Sequence, residues 1–263
     1  MKILLIIGDH PRHSFFAKHI IDRYPVSGVV IEKRENISPS SNNISINDKD
    51  NYIKHFKNRK FFEKKYFGTN IILTKSRTIE VENIEKEKNK VIHFIDIAKP
   101  DLVFLFGVSV LKPEILNALP VNVINLHAGL APYYKGSACN FWPFYFLVPN
   151  YAGYTFHFAI NKVDSGEVIH HSIPKLKYSQ TIHEVSCEGL KTATKDVSLI
   201  IDTFIKNKYI PSSKISQQGK FFLNKDFHAH HLRIVYDIFQ DNIVNYYLDN
   251  KDIFNEPKLI KLL

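Results

Sequence analysis

Lys2 to Gly8 reads KILLIIG, an unbroken apolar run closed by a glycine. A strand with water on one face alternates apolar and polar side chains. A strand covered on both faces does not, so this run predicts a strand inside a parallel sheet. From Pro11 to Tyr24 the residues Phe15, Phe16, His19, Ile20 and Arg23 recur near helical spacing, and VSGVVIE follows. Strand, helix and strand in that order outline a βαβ unit. The three-glycine dinucleotide fingerprint is missing after the first strand, so no nicotinamide or flavin cofactor is expected.

The pattern repeats outward from there. DLVFLFG, ending at Gly107, and VNVINLH, ending at His127, are further buried strands, with a short helix expected between them from Lys112-Pro113. Between Glu32 and about Asn70 the chain turns polar. NISPSSNNISINDKD reads as a surface loop before a charged helix near Asn51 to Lys65, together an insertion on the rim of the sheet. NIEKEKNKVIHFIDIAKP predicts a helix with Ile84, Val91, Phe94 and Ile95 on one side and Pro100 closing it.

GYTFHFAI and GEVIHHSIP predict a strand pair across the turn NKVDSG. Thr181 to Glu184 is a capping box opening a helix that carries Val185, Leu190, Ala193, Val197, Ile200 and Phe204 to about Lys208. The expectation is an α/β fold, an open, mostly parallel, twisted sheet of Rossmann-like form over residues 1–208. A small C-terminal extension over 209–263 has its own apolar face, including LRIVYDIF.

A chain of 263 residues with 44% hydrophobic content buries a substantial core. Cys139 and Cys187 are too few for a disulfide scaffold and lack paired zinc-site spacing, so a reducing cytoplasm is the expected setting. No stretch approaches the roughly 18 apolar residues that span a bilayer, and no membrane association is expected. The formal net charge of +9 raises the question of nucleic acid. Lysines from Lys49 to Lys90, however, alternate with Glu63, Glu80, Glu82, Glu85 and Glu87, which reads as a solvated surface. No nucleic-acid partner is expected, and the charge suits the approach of a phosphate-bearing small substrate.

Asn125 and His127 stand where an apolar run ends, and ligands of open α/β sheets bind outside the carboxyl ends of strands. Residues two apart on a strand point the same way. The turn carrying Asp164 lies between two strands that can return to that edge. An amide, an imidazole and a carboxylate converging on one point are suitable equipment for acyl transfer.

NLHAGLAPYYKG followed by VDSGEVI resembles the formyltransferases that use 10-formyltetrahydrofolate. Their shared pattern is an asparagine, one residue and a histidine, then a proline and a glycine, and later an aspartate before a glycine and a strand. The matching positions are Asn125, His127, Pro132, Gly136, Asp164 and Gly166. In order of elements the resemblance runs from Lys2 to Lys208, and it is specific from Asp101 to Pro174. It implies that Asn125 and a protonated His127 donate to the developing oxyanion. Asp164 would keep the histidine charged and help remove the proton of the attacking amine. It also implies that the folate lies along Phe106, Gly107, Val108, Ser109 and Val110, where Gly107 lets backbone approach a flat ring.

Three branches of that family differ in the amine they formylate. The short segment after Lys208 does not match the RNA-binding domain of the methionyl-tRNA branch. GDHPRHSFF does not match the glycine-rich phosphate loop of the glycinamide ribonucleotide branch. The branch acting on nucleotide-linked amino sugars fits, and GKFFLNKDF resembles a segment of those enzymes. The expected reaction is therefore formyl transfer from 10-formyltetrahydrofolate to the amine of a nucleotide-diphosphate-linked amino-deoxy sugar, as in lipopolysaccharide O-antigen biosynthesis. The other two branches, and a formyl-folate hydrolase or folate-binding module, remain alternatives. His10, Arg12, His13, Tyr134 and Lys135, in loops at the same edge, are expected to contact the acceptor. A homodimer through the C-terminal apolar segment is a base-rate expectation.

No metal is expected. His228 to His231, HAHH, lack a carboxylate or cysteine at telling spacing and read as helix-surface residues. His157, His170 and His171 read as packing or surface residues on strands, and Cys139 as a small packing residue.

Overall fold

A computed structural model describes residues 1–33, 44–69, 76–216 and 218–262. In chain order the elements are β1 (Ile3–Gly8), α1 (Pro11–Ile21), β2 (Val26–Glu32), α2 (Ile46–Phe67), β3 (Thr78–Val81), α3 (Lys88–Ala98), β4 (Leu102–Phe106), α4 (Pro113–Leu116), β5 (Val123–His127), β6 (Tyr134–Gly136), α5 (Trp142–Tyr145), β7 (Tyr154–Phe158), β8 (Val168–Ser172), α6 (Ile182–Asn207), β9 (Lys220–Phe222) and α7 (Ile243–Asp249). Seven strands form one sheet in the order β3-β2-β1-β4-β5-β7-β8. Its strands are parallel from β3 to β5, and β7 and β8 return antiparallel.

All six residues of β1 are buried, because β2 and β4 flank it and helices cover both faces. Successive side chains part to opposite cores. Ile3, Leu5 and Ile7 join Phe16 and Ile20 of α1 and Leu190, Val197 and Ile200 of α6. Leu4 and Ile6 join Val91, Phe94 and Ile95 of α3. Each fully buried side chain of this kind contributes about 1.5–3 kcal/mol relative to exposure. The sheet order reverses beside β1: β2 lies on one side and β4 on the other. A crevice therefore opens at the carboxyl ends of β1, β4 and β5.

The capping box is formed. Thr181 Oγ1 accepts from Glu184 N at 3.3 Å and Glu184 Oε2 accepts from Thr181 N at 3.2 Å, while Lys208 ends α6 with φ of 57°. Elsewhere the structure departs from the expectation. The charged helix α2 begins at Ile46 and is no rim appendage: it packs on α1 and α6 and buries Tyr52, His55, Phe56, Glu63 and Phe67. Polar members of that buried set hide its amphipathic pattern. Much of the asparagine-rich loop lies outside the described residues. The helix α3 starts at Lys88, and Thr78–Val81 form a strand too short and too charged to read as one.

The apolar face of the C-terminal segment is spent on the body of the protein. Leu232, Val235, Tyr236, Ile243 and Val244 share a core with Leu130, Phe141, Trp142, Ile182 and Val185, and β9 pairs with β6. The tail is bonded to β8, with His171 N donating to Ile260 O at 2.8 Å. Among the described residues no helix is long and apolar enough to cross a membrane.

His171 is wholly buried. Its Nε2 donates to Ala131 O at 2.7 Å and its Nδ1 accepts from Ile260 N at 3.0 Å, an arrangement that needs the neutral ring. Burial pulls its pKa down to about 4, and burial with Arg59 pulls that of buried His183 down to about 3. Both folded values lie below the ordinary 6.5, so the native state binds fewer protons than the unfolded chain. Their contribution is complete above pH 6.5 and shrinks as pH falls toward the folded values. Each histidine costs about 1.4 kcal/mol of stability per pH unit in that window. Urea midpoints should therefore drop steeply from pH 6.5 to pH 4.5; a flat profile would contradict the buried neutral rings.

Candidate active site

Asn125 and His127 project from β5 toward the crevice, and the antiparallel partner β7 sets His157 directly opposite Asn125. The turn between β7 and β8 carries Asp164, with φ of 44°, back to the same point. Gly166 lets that turn close: a Cβ there would lie 1.7 Å from Phe158 O, a distance no side chain tolerates. Three separate pieces of chain thus meet at one carboxylate.

Asp164 Oδ2 lies 3.2 Å from His127 Nδ1 and accepts from Gly136 N at 2.9 Å. Its Oδ1 lies 3.4 Å from both His157 Nε2 and Asn125 Nδ2. Burial pushes the Asp164 carboxyl up, but His127, His157 and the Gly136 N–H outweigh it and hold the acid at about 2. Asp164 is therefore an anion at neutral pH.

The partners of the rings assign their protons. His157 Nδ1 faces Phe158 O at 2.9 Å, so it carries hydrogen, and its Nε2 accepts from Asn125 Nδ2 at 3.1 Å. His127 Nε2 faces Tyr134 O at 3.0 Å and must also be N–H. Its Nδ1 faces the Asp164 carboxylate and makes a hydrogen bond only when it too is protonated. Burial lowers the His127 pKa, while Asp164 works for the charge. His127 is therefore a ring with one proton fixed and an anion waiting behind its second nitrogen. Both nitrogens are engaged with protein, unlike the freely aimed charged donor that the resemblance implies.

Two cavities meet at His127, and Arg12, Ala128 and Gly136 line both. One, of about 440 Å³, is walled by the loop after β4 from Phe106 to Leu111 and contains Asn125, His157 and Asp164. Gly107 takes φ of 69° under the His13 ring; a Cβ there would come within 2.1 Å of His13 Nε2. The loop thereby offers backbone edges beside Leu105, Leu116 and Ala159, the combination a flat, polar-edged heterocycle needs. Ser109 N donates to Glu32 Oε2 at 2.7 Å, which holds the loop to β2. The other cavity, of about 290 Å³, is closed by α2 and α6 and contains Arg59, Glu63, Asn140 and Phe227.

The expected acceptor contacts are scattered. Arg12 and His13 belong to the first turn of α1, not to a loop. Arg12 reaches both cavities, and the buried His13 packs edge-on against Phe106 at 4.6 Å. His10 stacks on His13 at 5.3 Å and lines neither cavity. Lys135 lines neither, and the Tyr134 ring turns into a separate hollow with Tyr133 and Tyr151. Tyr134 meets His127 through its backbone oxygen alone.

Sequence reasoning missed three contributors. His157 reads as packing, although register across β5 and β7 places it on Asn125. His55, Arg59 and Glu63 sit on a helix taken for a solvated surface. Phe221 to Asn224, within GKFFLNKDF, wall the larger cavity through the pairing of β9 with β6. Cys139 lines the smaller cavity, where burial raises its thiol pKa, consistent with a packing residue. His170 pairs with Asp196 at 3.2 Å, away from both cavities. His228 stacks on His230, His231 meets His230 edge-on, and His231 packs against Trp142 and Tyr145. Among the described residues no group of three histidines, cysteines or acids is placed to hold a metal ion.

The model of the formyl transferase family matches residues 33–201. The 4-N formyltransferase from Francisella tularensis superposes with a TM-score of 0.56 at 19% identity, over 86% of this chain and 78% of that one. The phosphoribosylglycinamide formyltransferase from Anaplasma phagocytophilum gives 0.57 at 16% identity, over 85% and 98%. The formyltransferase PseJ from Anoxybacillus kamchatkensis, in complex with UDP-4,6-dideoxy-4-formamido-L-AltNAc and tetrahydrofolate, gives 0.53 at 16%, over 92% and 96%. At these identities the likeness to solved structures speaks for the fold, and the family match covers the whole of the Asn125, His127 and Asp164 constellation. The chain belongs to the formyl transferase family.

Proposed function

We propose that the protein transfers a formyl group from 10-formyltetrahydrofolate to the amine of a nucleotide-diphosphate-linked amino-deoxy sugar. The observation that carries this reading is the position of His127 at the junction of two cavities, each suited to one of two co-substrates. The folate lies in the larger one against Phe106, Gly107, Val108, Ser109 and Val110 and supplies the formyl group. The amine enters from the smaller one.

The residues then divide the work. Asn125 turns an amide N–H from His157 to the formyl oxygen, where negative charge develops as the amine adds. His157 holds that amide in register until the formyl oxygen takes its place as acceptor. The amine nitrogen loses a proton as it forms its bond to carbon. The His127–Asp164 pair takes that proton, placing a hydrogen between Nδ1 and Oδ2 and a positive charge beside the oxyanion. The tetrahedral intermediate then collapses by breaking the bond from the formyl carbon to folate N10, and the same proton passes on to N10, directly or through water, so that tetrahydrofolate leaves neutral. Arg12 and His13 flank the entering ligands. The acceptor class is supported by the sugar-acting neighbour with its nucleotide-sugar product, by the lack of a glycine-rich phosphate loop, and by the C-terminal segment lying against the folate-side cavity. Buried, unpaired Cys139 and Cys187 suit a reducing cytoplasm.

Formylation of a panel of nucleotide-linked amino sugars, dependent on 10-formyltetrahydrofolate, is the expected result. Transfer to charged initiator tRNA or glycinamide ribonucleotide instead, or folate release without any amine, would overturn the acceptor assignment. Asn125→Ala, His127→Asn and Asp164→Ala should each lower turnover by about two to three decades, corresponding to about 2.7–4 kcal/mol, with the fold intact by circular dichroism. Near-native turnover removes that residue from the mechanism. Because the carboxylate favours the charged ring, Asp164→Asn should move the His127 pKa down by about one pH unit or more, read from its imidazole NMR resonances. An unmoved titration would contradict the pairing.

A further inference from the structure

The smaller cavity holds a charge arrangement that formyl transfer itself does not use. Glu63, on α2, accepts from Arg12 Nη1 at 3.0 Å and from Arg59 Nε at 2.9 Å, both at the single oxygen Oε1. Its other oxygen, Oε2, is buried with no hydrogen-bond partner, and the side chain is only 8% exposed. Two guanidiniums share one carboxylate, and Glu63 is the one acid among the described residues lining the cavity. His55 and His183 beside it are kept neutral by burial, and both ring nitrogens that reach Tyr236 Oη do so at 3.0 and 3.3 Å. The cluster therefore keeps a net positive charge in a half-closed space, which is costly unless an anion completes it.

The donors are also unspent. Arg12 Nε donates to His13 Nε2 at 3.1 Å and its Nη1 to Glu63, leaving Nη2 without a partner among the described residues. Both terminal nitrogens of Arg59 are in the same state. Ile182 and His183, from the first turn of α6, line the cavity too, but the helix end is already capped: Ile182 N donates to Asp241 Oδ1 at 3.1 Å and Glu184 N to Thr181 Oγ1 at 3.3 Å, so the guanidiniums are the donors the cavity has to offer. Two planar forks offer more N–H groups than one carboxylate oxygen accepts, and they match the oxygens of a phosphate.

We propose that Arg12 and Arg59 form a clamp for a phosphate or diphosphate group carried by the amine acceptor, with Glu63 as the strut that holds both guanidiniums in place. This inference rests on the reading of the smaller cavity as the acceptor side. At about 290 Å³ the cavity lies just below the range of about 300–1,000 Å³ for whole-ligand sites. It takes the amine-bearing ring and its nearest phosphate, while the remainder of the acceptor leaves through the mouth. Asn140 lines the same space, and its Oδ1 is buried without a hydrogen-bond partner.

Calorimetric titration of the full chain with inorganic pyrophosphate at low salt tests the clamp without requiring the acceptor. Arg59→Gln and Arg12→Gln should each weaken binding at least about tenfold, the loss of one charge-assisted hydrogen bond. Arg59→Lys, which keeps the charge without the fork, should fall between, and guards against a misfolded glutamine variant. Glu63→Gln keeps an oxygen for both N–H donors and removes the competing charge, so it should bind pyrophosphate more tightly. Its melting temperature should also rise more on adding pyrophosphate than that of the wild type. Lys206→Gln, on the exposed end of α6, should change nothing. Wild-type affinity in Arg59→Gln, or an equal loss in Lys206→Gln, overturns the clamp. If amino-sugar formylation proceeds with an unchanged KM in Arg59→Gln, the clamp fails and the transferase reading stands. If no amine is formylated while the arginine variants lose pyrophosphate, the transferase reading fails and the clamp stands.

Discussion

A single buried carboxylate orders this active centre. Asp164 is reached by the imidazole of His127, the imidazole of His157, the amide of Asn125 and the backbone N–H of Gly136. Gly136 N and Asn125 Nδ2 donate to it, and His127 does so once its Nδ1 is protonated. An anion taken out of water needs such partners, because each missing donor would leave desolvation uncompensated. The requirement explains much of the local chain. It fixes a left-handed residue in the β7–β8 turn, a glycine where Phe158 O leaves no room for Cβ, and the approach of β6. β6 is pinned in turn by β9, so the C-terminal segment, remote in sequence, reaches the candidate active centre through one short strand pair.

The same carboxylate explains why His127 is useful. With Nε2 committed to Tyr134 O, the ring has one nitrogen left, and that nitrogen looks at an anion. Burial disfavours the second proton and Asp164 favours it. Opposed terms of this kind produce a group that takes up a proton when a nearby step releases one. On the proposed function, its place between the cavities puts that exchange where the amine and the formyl group would meet.

Most of the frame was legible in the sequence for a plain reason. Strands buried on both faces become unbroken apolar runs, so KILLIIG, DLVFLFG and VNVINLH announced themselves, and the capping box at Thr181 marked α6. Asn125, His127 and Asp164 were legible because two short motifs coincide with two strand ends. What stayed hidden depends on pairing. His157 looks like any histidine on a half-buried strand until the register of β7 sets it against Asn125. Arg59 and Glu63 look like solvated charges until α2 is laid on α1 and α6. Strands of three or four residues, such as β3, β6 and β9, are too short to show a period at all. Tyr134, expected to contact the acceptor, meets His127 through its backbone oxygen, a contact that no side-chain pattern announces.

The central claim is that the Asn125–His127–Asp164 centre separates a folate side from an amine side. A crystal structure of the full chain with 5-formyltetrahydrofolate tests it most directly. The account predicts the pterin against Phe106 to Val110 and the formyl oxygen within hydrogen-bond reach, about 3 Å, of Asn125 Nδ2. A pterin seated in the cavity of Arg59 and Glu63, or a formyl group out of reach of Asn125 and His127, would contradict it.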